Sequence, residues 1–106
     1  MMQRVSLFAL AVGVFALPAY ASDYSLSEAI ASVVVHEKRC NLKVDKEALT
    51  KLVKTGFDDP AYGVNGLRTD ISIFQRREAK MSGLELDVRC AGIRAFAEAK
   101  GIVVTE

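Results

Sequence analysis

The chain has 106 residues, 51% of them apolar, with 14 Lys and Arg against 13 Asp and Glu, one histidine and no tryptophan. This balance lacks the basic excess of nucleic-acid binders and of strongly charged membrane-surface proteins, so neither partner class is expected. The length supports one domain, and with so few catalytic side chains a cleft holding a nucleophile with its base is hard to build, so the chain reads as non-enzymatic.

Residues 1–21 read as a secretory signal. Arg4 is their only charge, and a largely apolar run of 13 residues, 5–17, follows it. Pro18 breaks the run, and Ala19-Tyr20-Ala21 forms an A-x-A site with cleavage expected after Ala21. The run falls short of the ~20 residues a membrane-spanning helix needs, so no stable membrane insertion is expected after cleavage. No cysteine lies near the cut to carry a lipid. The compact signal suits a bacterium, which places the product in the periplasm. Removing Arg4 leaves 13 basic against 13 acidic residues in the mature stretch 22–106, a net charge near zero.

Export gives the two cysteines their meaning. Disulfides persist in oxidising compartments, and two cysteines in a short secreted chain are most simply one bond, Cys40–Cys90.

The mature stretch reads as all-α, a small bundle of about four helices. Ser22–Tyr24 is a polar leader. Ser25-Leu26-Ser27-Glu28 fits a capping box, and Leu26, Ala29, Ile30, Val33 and Val34 share a helical face, which predicts a first helix over 26–39. Val33-Val34-Val35 would also suit a strand, but the cap, the spacing and the basic end Lys38-Arg39 favour helix. Asn41 can take the left-handed conformation that closes it, and Leu42-Lys43-Val44 is an extended link. Asp45 caps a second helix over 46–55, with Ala48, Leu49, Leu52 and Val53 inward and Gly56 as its stop.

Asp59 with Pro60 starts a third helix, 60–81. Its inner face is Val64, Leu67, Ile71 and Phe74. Its polar face carries Arg68, Asp70, Arg76, Arg77, Glu78 and Lys80. A fourth helix over 84–100 has two apolar stripes: Leu84, Val88, Ala91 and Ala95, then Leu86, Cys90, Ile93 and Ala97. Such a wide apolar surface predicts the most buried helix of the bundle. Gly101 closes it, and Ile102-Val103-Val104 packs back as a tail. The disulfide then staples the end of the first helix to the middle of the fourth.

Each candidate site has a plain structural reading. His36 and Cys40, at i and i+4, could hold a metal or activate a thiolate. A disulfide cysteine beside a surface or half-buried histidine explains them better, although a histidine is also the residue through which mild acid would tune stability. Asp58 and Asp59 could pair for acid–base or calcium chemistry, but lack the alternating pattern of a calcium loop. Capping explains Asp59. Gly63, Asn65 and Gly66 lack the preceding strand and glycine pattern of a phosphate loop, and close helix packing or a bent first turn accounts for them. Arg76, Arg77 and Lys80 form a basic cluster that either faces an acidic partner or is a solvated helix face. Tyr62, Phe57 and Phe74 could add an aromatic patch nearby. No cofactor, metal or catalytic residue is expected.

In general outline the chain resembles the small periplasmic acid-stress chaperones of the HdeA type, which are also short, helical, signal-bearing and held by one disulfide between distant cysteines. The likeness rests on size, secretion and the two-cysteine layout, and assigns no family. The function expected is a secreted, non-enzymatic protein-interaction module in cell-envelope homeostasis, acting on an envelope protein. Two alternatives stand beside it. One, which the resemblance implies, is an acid-activated holdase, supported by the 13 carboxylates that lose charge in acid. The other is an inhibitor of a cell-wall hydrolase, with a protruding loop over 56–66 as its inhibitory element. Oligomeric state is not legible.

Overall fold

A computed structural model describes residues 19–104. Four helices follow one another: α1 (Ala19–His36), α2 (Lys46–Thr55), α3 (Pro60–Arg77) and α4 (Gly83–Ala99). The all-helical fold and the Cys40–Cys90 disulfide, with Cα atoms 5.2 Å apart, agree with the sequence reading. Arg4 and the apolar run 5–17 lie outside the described residues, and the cut expected after Ala21 falls within the first turn of α1.

α1 is the central helix. Ile30, Ala31, Val33 and His36 on it are 0% exposed, and Asp23, Ser27 and Ser32 are buried too. Asp23, Ser27, Ile30 and Ala31 follow the i, i+4, i+7, i+8 spacing of one face. α1 packs most extensively on α3, and more narrowly on α4. This corrects two expectations. The helix starts at Ala19 rather than Leu26, so Ser25 lies inside it and the capping box does not form. The most buried helix is α1, not α4. The β-branched run is helical, with Val33 buried, Val35 half-buried and Val34 exposed.

The start of α3 is built by a side chain on α1. Both oxygens of the buried Asp23 carboxylate accept backbone N–H groups, from Asp58 at 2.7 Å and Asp59 at 2.8 Å. Asp59 in turn accepts from the Tyr62 N–H at 3.3 Å, as the cap-plus-proline reading requires. Phe57 is thereby held inward, 5% exposed, with its ring against Gly63. A Cβ on Gly63 would lie 2.2 Å from the Phe57 ring. The close approach at Gly63 is to the Phe57 ring of the preceding turn, whereas Gly66 faces Ser27 of α1. Gly63→Ala is expected to destabilise by about 3 kcal/mol through overpacking. Gly66→Ala should stay within about 1 kcal/mol of wild type, since its Cβ would sit 3.3 Å from the Ser27 hydroxyl. Thermal melts of the two variants check this. Residues 60–66 are therefore the first turns of a helix, and only 56–59 of the stretch 56–66 is non-helical.

α1 and α4 end in the same way. Leu42 N–H reaches Glu37 C=O (2.8 Å) and Asn41 N–H reaches Lys38 C=O (3.1 Å), with Asn41 at φ 54°. Ile102 N–H reaches Ala97 C=O (3.0 Å) and Gly101 N–H reaches Glu98 C=O (3.1 Å), with Gly101 at φ 69°. Both are Schellman closures, which use the left-handed residue to satisfy the last free carbonyls. Each closure delivers an apolar residue, Leu42 or Ile102, into one core cluster with Val33, Cys40, Ile93 and Ala97. The two exits then pair antiparallel at Val44 and Val103, with hydrogen bonds from Asp45 to Ile102 (2.8 Å) and from Val104 to Lys43 (2.7 Å). The inner face of α2, from Ala48, Leu49 and Leu52, packs against this cluster. Regular α1 geometry stops at His36, three residues before the expected end, because residues 37–40 form the closing turns.

α3 ends at Arg77, four residues before the expected Met81. Glu78 is its C-cap, donating its N–H to Phe74 C=O at 2.9 Å, and its side chain turns inward rather than lying on the polar face.

Candidate functional site

Two features stand out beyond the fold itself: a buried polar node where α1 meets the α3–α4 link, and an apolar groove between α1 and α4.

The node forms where Glu78 meets the end of α1. Its Oε1 lies 2.5 Å from His36 Nε2, with the His36 side chain 0% and the Glu78 side chain 6% exposed. This geometry makes Nε2 the donor and fixes the ring. Arg39 Nη1 donates to the Glu78 carbonyl at 2.6 Å, and Nη2 donates to the Met81 carbonyl. The Glu78 carbonyl also accepts the Met81 N–H at 3.2 Å, so Arg39 braces the turn that leads from α3 to α4. Arg89 of α4 brings its Nε to 3.5 Å from the same Glu78 oxygen. One carboxylate thus ties α1, the α3–α4 link and α4 together. His36 Nδ1 is buried and has no hydrogen-bond partner among the described residues. His36 is therefore neither a surface nor a half-buried residue, and burial of its ring corrects that expectation. Cys40 has its sulfur in the disulfide, which leaves no thiolate for metal or nucleophilic chemistry beside His36.

The groove is lined by Ala29 and Ser32 of α1, Met81, and Leu84, Val88 and Phe96 among the α4 residues, with a volume of about 740 Å³. Charge enters only at Glu85 and Arg89. Beside it the stripe Leu84, Val88, Ala91 and Ala95 is exposed, Leu84 at 78% and Val88 at 65%. Of the two stripes on α4, one faces the core: Ile93 and Ala97 are buried, Leu86 and Cys90 half-buried. The other meets water because, among the described helices, α4 approaches only α1 closely. The periodicity shows both stripes but not which one has a neighbour.

The remaining candidates are dispersed. Arg76, Arg77 and Lys80 are exposed around the end of α3. Asp58 and Asp59 are exposed at its start, where it is the Asp58 backbone, not its carboxylate, that is engaged. Tyr62 is 43% exposed, whereas Phe57 and Phe74 are buried, so these three form no aromatic patch. Sequence reasoning missed Asp23, Glu78 and Arg39 as organising residues. Their only local signal was a charge on an apolar face or at a helix end. No protein family, curated protein or solved structure matches the chain.

Proposed function

We propose that the protein is a small exported, non-enzymatic interaction module of the bacterial periplasm, which binds a protein partner through the outward face of α4. The observation that carries this reading is the exposed Leu84–Val88 stripe bordering the apolar groove. Contiguous exposed apolar surface is the usual mark of a partner site. Export is supported by the signal-like residues 1–21 and by the disulfide, which persists outside reducing compartments. The proposed setting is envelope homeostasis, the part of the reading that draws on compartment and size.

The test is a photo-crosslinking residue at Val88 in the exported protein, with an equivalent residue at the exposed Thr50 of α2 as control. The expected result is a defined protein adduct from position 88 and none from position 50. Adducts that are absent from both, or equal at both, would overturn the reading. Changing Arg76, Arg77 and Lys80 together to glutamate should leave the adduct intact; its loss would move the partner surface to the basic cluster.

A further inference from the structure

The outward stripe of α4 has a property that a generic sticky surface lacks: it is complementary to itself. Leu84, Val88, Ala91 and Ala95 follow a 4-3-4 spacing, the seam of a coiled coil, along the side of α4 opposite the buried Ile93 and Ala97. Its large residues come first and its small residues last. When two copies of α4 cross antiparallel about a two-fold axis between residues 89 and 90, Leu84 meets Ala95 of the second copy. Val88 likewise meets Ala91. Every layer then sets a large side chain against a small one, so the helices approach closely without voids.

The charges agree with the same axis. Asp87 and Arg94, both exposed, flank the seam on one side, and the crossing places Asp87 of each copy beside Arg94 of the other. Arg94 donates from one amino group to the Cys40 carbonyl at 2.9 Å while the residue stays exposed. On the opposite flank lie Gly92, where an added Cβ would find nothing within 4 Å, and the exposed Glu85, which the crossing sets against Gly92 of the second copy. A parallel crossing would set Leu84 on Leu84 and Ala95 on Ala95, and would leave Asp87 and Arg94 unmatched.

The geometry points to a second copy of this chain as the occupant of the outward α4 face, in an antiparallel, two-fold dimer. This deepens the reading above and rests on it. Self-pairing residues are the condition for an isologous contact. One helix pair falls at the small end of specific interfaces, where weak, concentration-dependent association is expected. Both grooves lie on the same side of the paired helices and join into one longer apolar surface.

Sedimentation velocity of the oxidised full chain, from low micromolar to millimolar concentration, tests this. The wild type should pass from monomer to dimer. Asp87→Arg alone, which sets two positive charges together at both ends of the crossing, should weaken the dimer at least about tenfold. Arg94→Asp alone, which sets two negative charges together there, should do the same. An equimolar mixture of the two variants should recover dimer. In the mixed dimer the introduced arginine of one chain faces the introduced aspartate of the other, and the native Asp87 faces the native Arg94. Circular dichroism of each variant confirms folding, and Asp87→Arg touches no described internal contact, so it stands as a test if Arg94→Asp proves unstable. A wild type that stays monomeric at millimolar concentration overturns the inference, as does a dimer indifferent to Asp87→Arg. A different protein crosslinked at Val88, with a monomeric wild type, would remove the self-pairing and leave the interaction reading standing.

Discussion

Replacing Cys40 and Cys90 together by alanine is expected to lower stability by about 4 kcal/mol, a large share of the ~5–15 kcal/mol available to a domain. The bond closes a loop with a sequence separation of 50, and its main effect is to restrict the unfolded chain. The packing of α4 adds a second reason. Among the described helices α4 closely approaches only α1; beyond Ile93 and Ala97 in the core cluster it is held by the Arg94–Cys40 hydrogen bond, the Arg89–Glu78 contact and the pairing of the two helix exits. Without the bond, α4 should lose amide-exchange protection before α1 and α3 do. Urea denaturation with exchange measured by mass spectrometry reads both effects. A steeper denaturant dependence is expected as well, because the unlinked unfolded chain exposes more surface. Uniform loss of protection across all four helices would show that the disulfide stabilises the fold as a whole rather than α4 in particular.

Glu78→Ala should cost about 3 kcal/mol or more, the usual consequence of removing one partner from a buried polar pair. The variant leaves His36 buried with neither ring nitrogen satisfied and removes the carboxylate beside Arg89. Glu78→Gln keeps an acceptor for His36 Nε2 and should cost about 1 kcal/mol, the worth of the lost charge assistance. Replacing both residues, as in His36→Leu with Glu78→Leu, should be less damaging than the two single changes combined, because no polar atom is then stranded. A thermodynamic cycle over the single and double variants measures this. Additive costs would mean that the 2.5 Å contact between the two side chains contributes no coupling.

Legibility from sequence followed the range of the interactions. α2 was readable to the residue because Asp45, which accepts from the Ala48 N–H at 3.1 Å, and Gly56 are local signals. The start of α3 was readable for the same reason, through Asp59 and Pro60. Asn41 and Gly101 were legible as helix terminators because few residues tolerate a positive φ. The errors lie where a side chain answers to a distant partner. Glu78 fits the polar face of a continuing helix until His36, 42 residues earlier, draws it inward and Arg39 takes the carbonyls of the link. Asp23 looked like part of a polar leader, yet it clamps a turn 35 residues away. The candidate surface was half legible. The stripe on α4 is plain in the spacing, but its exposure depends on where α1 and α3 leave space.

The Asp23 clamp lies two residues past the cut that the sequence predicts. On the export reading, the peptidase cuts after Ala21, two residues ahead of the carboxylate that fixes the 57–59 turn. Misprocessing by two positions would discard that carboxylate, along with hydrogen bonds worth about 2 kcal/mol. On that reading, whether the latch on α3 survives depends on where the cut falls.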